Sequence, residues 1–176
     1  MKKLLLFCSS AAALLAAPHA IAQAQKSAPY PAKSVRILVG YAPGGATDIV
    51  GRLIAQKLTE TAGQSFIVEN RLGASATIAA ELVARAAPDG YTLFIAASAS
   101  HSIMPSLMAK LSYDTQRDFA SISLLALSPQ ILTVHPSLPV RSVADMIKVA
   151  RAQPGQLNFG SGGTGTPPHL AGELFQ

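Results

Sequence analysis

Ser34-Val35-Arg36-Ile37-Leu38-Val39-Gly40-Tyr41-Ala42-Pro43-Gly44-Gly45-Ala46-Thr47-Asp48 decides the fold: an apolar, β-branched run suited to a buried strand empties through a glycine turn into an amphipathic segment. A loop that leaves the carboxyl end of a strand and opens a helix presents unpaired backbone N–H groups in one direction, reinforced by the positive end of the helix dipole. The predicted preference is for an anion. Working outward, Ile49, Val50, Leu53, Ile54 and Leu58 fall on one face of a helix, and Gly63 sits where a helix commonly stops. Ser65 to Glu69 reads as a second strand and Asn70-Arg71-Leu72-Gly73 as a turn. Thr77 to Ala87 reads as a second helix with Ile78, Leu82 and Val83 inward. Pro88-Asp89-Gly90 turns the chain into a third strand, Tyr91 to Ala97. This alternation predicts an α/β fold, a parallel-type sheet flanked by helices, whose ligands sit at the carboxyl ends of the strands. Ala42 to Asp48 and Ser98-Ala99-Ser100-His101-Ser102 emerge there and are the predicted walls of a site.

Lys2 and Lys3, the apolar run Leu4 to Ala17 and the small-residue sites near Ala20 to Ala24 read as a cleavable signal peptide over residues 1–24, too short for a membrane span. The single cysteine, Cys8, lies inside it, so the mature sequence has no disulfide or cysteine nucleophile. The formal net charge of +5 is a mild bias. The basic residues are dispersed, with no aromatic stacking set among them, which argues against nucleic-acid binding. A chain of 176 residues can bury one good core, or one small domain and part of another. Residues 25–118 read as a first lobe. From Phe119 two apolar runs, Ile122 to Leu127 and Gln130 to Val134, look like a passage between lobes, and 119–176 read as this crossover and an incomplete second lobe. Ser142-Val143-Ala144-Asp145 is a capping box ahead of a helix to about Ala152. The sequence stops within an apparent helix at Leu170 to Gln176 and reads as a fragment.

A second glycine loop, Gly160-Ser161-Gly162-Gly163-Thr164-Gly165-Thr166, follows Leu157-Asn158-Phe159 and runs into a helix-like tail near Pro168. It repeats the logic of the first junction and predicts a carboxylate or phosphate gripped from two sides. It also satisfies G-x-G-x-x-G, which leaves a nucleotide-binding enzyme open as an alternative. Against that, no lysine follows to neutralise a triphosphate, and the motif falls late in the chain. G-x-S-x-G is absent, since Phe159 stands two residues before Ser161. No histidine pair has zinc-helix spacing, so neither metal nor cofactor is predicted. His101 and His169 each sit beside a candidate ligand loop and either line the site or cap a helix. Asp48 either interacts with first-turn N–H groups of its own helix or binds an ammonium group on the ligand.

Several stretches, in their order and spacing, resemble the substrate-binding receptors of tripartite tricarboxylate transporters, also called the Bug family. They are Tyr30-Pro31-Ala32-Lys33-Ser34-Val35-Arg36, Val39 through Asp48, Val68-Glu69-Asn70-Arg71-Leu72-Gly73, Ala87-Pro88-Asp89-Gly90-Tyr91-Thr92-Leu93, Tyr113-Asp114 with Asp118-Phe119, His135-Pro136-Ser137, and Gly160-Ser161-Gly162 through Pro168-His169-Leu170. The resemblance implies a periplasmic, two-lobed receptor of Venus-flytrap type, not an enzyme. It would capture a small di- or tricarboxylate or related organic acid and deliver it to membrane permease subunits. A sensor kinase is the alternative partner. Carried onto this sequence, the ligand-binding residues are Ala42, Pro43, Gly44, Gly45, Thr47 and Asp48 from the first lobe, Ser98 and His101 as a side wall, and Ser161, Gly162, Thr164, Gly165, Thr166 and His169 from the second. The resemblance also implies about twice the length present here.

Overall fold

The computed structural model describes residues 29–176; the predicted signal peptide lies outside them. Three strands, β1 (Val35–Val39), β2 (Phe66–Asn70) and β3 (Thr92–Ile95), form one parallel sheet in the order β2-β1-β3. β1 takes the centre because it can be covered on both faces: Val35, Ile37, Leu38 and Val39 are each at most 1% exposed. Val39 pairs with Asn70 on one side and Ile95 on the other, so the three strands end level. Three loops therefore leave the sheet at one edge. That edge is where open parallel sheets hold ligands.

The helices α1 (Ala46–Ala62) and α2 (Thr77–Ala84) connect these strands, α2 ending earlier than the predicted Ala87. Gly63 stops α1 with φ +68, its N–H bonded to the Thr59 carbonyl. Neither helix buries the face defined by its large apolar residues. In α1 the buried positions are Asp48, Gly51 and Ala55, whereas Ile49 and Leu53 are more than half exposed. The cause is close approach: a Cβ on Gly51 would stand 3.2 Å from a Val39 methyl and 3.5 Å from Ile95, so only small residues fit against the strands. In α2, likewise, Thr77, Ala79 and Ala80 face in, while Ile78 and Leu82 stay outside.

After β3 a π-helical turn, Ala99–Ile103, leads into the short α3 (Met104–Leu107). His101 packs there among Phe94, Tyr113 and Phe119, and the Tyr113 hydroxyl donates to the Ser100 carbonyl at 2.7 Å. Residues 120–142 form no strand or helix, and the runs Ile122 to Leu127 and Gln130 to Val134 lie exposed. Two helices follow, α4 (Val143–Ala152) and α5 (Pro167–Phe175). Ser142 caps α4 as its sequence predicts, accepting from the Asp145 N–H at 3.1 Å. The returning carboxylate of Asp145 reaches the Arg141 N–H instead of that of Ser142. No described helix is long and apolar enough to cross a membrane.

Candidate functional site

The loop after β1 is built by Asp48. Its side chain is buried and both oxygens are engaged: one accepts from the Gly44 N–H and from Arg52 Nε, each at 2.9 Å, and the other from Asn70 Nδ2 at 2.8 Å. The same Asn70 amide donates to the Tyr41 carbonyl at 3.0 Å, and Arg52 reaches Asn70 Oδ1 at 3.0 Å. The Arg52 guanidinium first, then the Gly44 N–H and Asn70, hold the Asp48 carboxyl at about 2, well below the usual carboxylate range. Asp48 therefore fastens the start of α1 to the end of β2. It is absent from the cavity wall and buried, so it does not face a ligand ammonium there. Nor does it cap its own first turn as predicted; it holds the loop residue four positions before it.

That arrangement decides which donors are free. Gly44 gives its N–H to Asp48, and Gly45 gives its own to the Ala42 carbonyl at 3.3 Å. The N–H groups of Ala46, Thr47 and Asp48 find no acceptor among the described residues, as the first turn of a helix requires. The anion-seeking donors are thus one step further along than the glycines. Gly44 has φ +82, which only glycine takes without strain, and it turns the chain into α1.

A cavity of about 690 Å³ opens beside this turn. Gly40, Tyr41, Ala42 and Gly45 form one wall, Leu72 to Ser75 a second, and Met104 with Gly162, Gly163 and Thr164 the remainder. Of the predicted site residues, the structure brings Ala42, Gly45, Gly162 and Thr164 together around this space. Pro43, Gly44 and Thr47 belong to the same loop and first turn without lining it. Ser98 is exposed at the start of the π-helical turn and His101 points into the aromatic cluster, where burial lowers its pKa; neither lines the cavity. His169 does not line it either: its Nε2 lies 3.7 Å from Glu173, and its buried Nδ1 has no partner among the described residues.

The second glycine loop departs from the predicted junction. Leu157 to Phe159 form no strand, and α5 opens with Pro167 and Pro168, which have no N–H to offer. The loop folds on itself: the Thr166 N–H and hydroxyl both bond the Gly163 carbonyl, at 3.2 and 2.6 Å, and the Ser161 hydroxyl accepts from the Gly163 N–H at 3.3 Å. Gly165, at φ +76, is pressed so closely onto α3 that a Cβ would stand 2.7 Å from the Met104 sulfur. This loop forms a wall more than a donor site.

Sequence reasoning missed the loop after β2. Ala74, Ser75 and Ala76 all have positive φ, 45, 53 and 72 degrees, a left-handed turn that L-residues adopt only under constraint. Burial supplies it: Ala76 is fully enclosed, in contact with Gly40, and the Thr77 hydroxyl closes the turn onto the Ala74 carbonyl at 2.9 Å. The turn aims Ser75 across the cavity mouth, where its hydroxyl donates to the Thr164 carbonyl at 2.5 Å. The rule that placed two loops at the sheet edge would have placed this one too, since every parallel strand ends there.

The family model described as Tripartite tricarboxylate transporter family receptor matches residues 50–176. The chain belongs to this receptor family. Protein BugT of Bordetella pertussis is 34% identical over 148 residues, 84% of this chain and 45% of BugT. Among solved structures, R. palustris Rpa4515 with adipate is 41% identical with a TM-score of 0.80, over 83% of this chain and 49% of that one. MatC (Rpa3494) from Rhodopseudomonas palustris with bound malate is 33% identical with a TM-score of 0.75, over 83% and 51%. The chain spans about half the length of the receptor-family relatives it matches. The parallel sheet flanked by helices is thus the fold of periplasmic binding proteins of this family, as the sequence predicted.

Proposed function

We propose that this chain forms the grasping part of a periplasmic receptor that captures a small organic carboxylate and presents it to the membrane components of a tripartite transporter, making and breaking no covalent bond. The observation that carries this reading is the cavity at the sheet edge. Gly45, which lines it, directly precedes the free N–H groups of the first turn of α1, and among the described residues no cationic side chain lines it. A carboxylate bound there is held by backbone dipoles, in the manner of anions at helix N-termini. Charge-assisted hydrogen bonds contribute about 1.5–3 kcal/mol each, so a few of them suffice for a micromolar Kd after association costs. The acids bound in the two Rhodopseudomonas structures support the same ligand class. Capture proceeds by closure: the acid docks on the α1 turn and the Gly160 to Thr166 loop swings over it, the Ser75 to Thr164 bond marking where that loop meets the neighbouring loop after β2.

The test is titration calorimetry on the protein carried on its full natural chain, with adipate and with its neutral diamide. Adipate is expected to bind and adipamide to be silent. Gly45→Val sharpens the result. Its backbone, at φ −74, accepts any residue, an added Cβ meets the Ala42 carbonyl at 3.3 Å, a close contact that a shift of a few tenths of an ångström relieves, and Gly45 lines the cavity, so the valine should obstruct it and abolish binding without unfolding the protein. Equal affinity for the diamide, or unchanged affinity in Gly45→Val, would overturn the reading.

A further inference from the structure

The walls of the cavity say more than its donors do. Resting on the carboxylate-receptor reading, we infer that this site is selective for acids with an apolar body, aliphatic or aromatic, bearing carboxylates only at their ends, and that it discriminates against hydroxylated acids and against a third carboxylate.

The reasoning begins with what a ligand meets beyond the α1 turn. Leu72, Ala74, Ala42 and Met104 present hydrocarbon and a thioether to the space. The side-chain hydroxyls on the lining are those of Tyr41, Ser75 and Thr164, and Ser75 is already bonded to the Thr164 carbonyl. At the far end the lining residues Gly162 and Thr164 keep backbone N–H groups without a partner among the described residues, which leaves room for at most one further carboxylate beside a loop that is mainly a wall. Gly163 has given its N–H to Ser161, and Pro167 and Pro168 have none. A carboxylate branching from the middle of a ligand would leave water for the apolar side of Leu72 and Met104, with two neutral hydroxyls, those of Tyr41 and Thr164, to replace its hydration. Several mid-chain hydroxyls would compete for the same two partners and leave the rest without hydration. Desolvation without a compensating hydrogen bond is costly for a hydroxyl and more so for an ionised group. A methylene or aromatic body gains from the same surfaces.

Three probes separate these contributions. Adipate has the apolar body and two terminal carboxylates. Galactarate is the same six-carbon diacid with four hydroxyls, at the same charge. Tricarballylate lacks hydroxyls and adds a third carboxylate in mid-chain. Calorimetric titration of the full-chain protein is expected to give adipate a Kd at least about tenfold lower than either competitor, the difference one unmatched polar group makes. Galactarate or tricarballylate binding within a few-fold of adipate would overturn the selectivity while leaving the receptor reading intact; silence from all three acids would overturn both. Leu72→Arg tests the wall directly. Leu72 is 55% exposed, so the substitution leaves the core untouched, and the new guanidinium should shift the tricarballylate-to-adipate affinity ratio about tenfold toward the tricarboxylate. An unchanged ratio would sink the assignment of that wall.

Discussion

The two glycine loops, read from sequence as a matching pair, do opposite things. The first is held from behind by a buried carboxylate, so its glycines are occupied and the helix after it offers free N–H groups. The second is held from within by Thr166 and seated on α3, and its helix begins with two prolines. One is a donor site with an anchored base, the other a cover shaped to fit a surface. A glycine turn entering a helix therefore announces anion binding only when the first helical residues keep their N–H groups.

The sharpest way to break this comparison is to give each loop one extra methyl. Gly44→Ala meets no heavy atom within 4 Å and incurs only the left-handed backbone, about 1–2 kcal/mol. Gly165→Ala incurs the same backbone cost and also a collision with the Met104 sulfur at 2.7 Å and Leu107 at 3.1 Å, a further 1–3 kcal/mol or so of overpacking. Chemical denaturation should rank Gly165→Ala clearly below Gly44→Ala. Equal losses would mean that the second loop is not seated on α3.

The next largest effect falls on the anchor. In Asp48→Asn the new NH2 group is a donor that must face either the Gly44 N–H with Arg52 Nε or the Asn70 Nδ2, donors in both cases, so the Gly44 contact and the Asn70 contact cannot both survive. Acid affinity should drop about tenfold, equivalent to the loss of one good contact, because the α1 turn loses its fixed orientation. The pH dependence follows in sign. The folded pKa of about 2 lies below the ordinary value near 3.8, so the contribution of Asp48 to stability is complete above pH 4 or so and is lost as pH falls through 2. Thermal melts between those values should be flatter for Asp48→Asn than for the natural protein. Identical slopes would remove Asp48 from its role.

How much of this was legible beforehand depends on how local the physics is. The β1–α1–β2–α2–β3 order could be read because β-branched runs and glycine or proline stops act within a few residues. The packed faces of α1 and α2 could not, because hydrophobicity does not report distance. Gly51 and Ala79 face inward through being small, and Ile49 and Ile78 are pushed outward by being large. That Ala42, Gly45, Gly162 and Thr164 would come together around one cavity was legible from the two glycine loops. Leu72 to Ser75 were not, since the left-handed turn Ala74 to Ala76, with no glycine in it, is enforced by the packing of Ala76 against Gly40 and by the Thr77 hydroxyl, which no local pattern encodes.

That enforced turn supplies the smallest and most discriminating effect, because Ser75 is where the donor loop's neighbour touches the cover loop. Ser75→Ala removes the hydroxyl and keeps the strain; Ser75→Gly removes the hydroxyl and relieves the strain at φ 53. Both should weaken acid binding by the same modest factor, up to about tenfold for one neutral hydrogen bond worth some 0.5–1.5 kcal/mol. In stability they should part, with the glycine variant about 1 kcal/mol above the alanine variant, since glycine adopts that conformation freely. If affinity instead tracked stability across the two, the bond to Thr164 would be a packing detail. If affinity falls equally while stability diverges, the hydroxyl couples the anchored donor loop to its cover, and the backbone strain is the cost of aiming it.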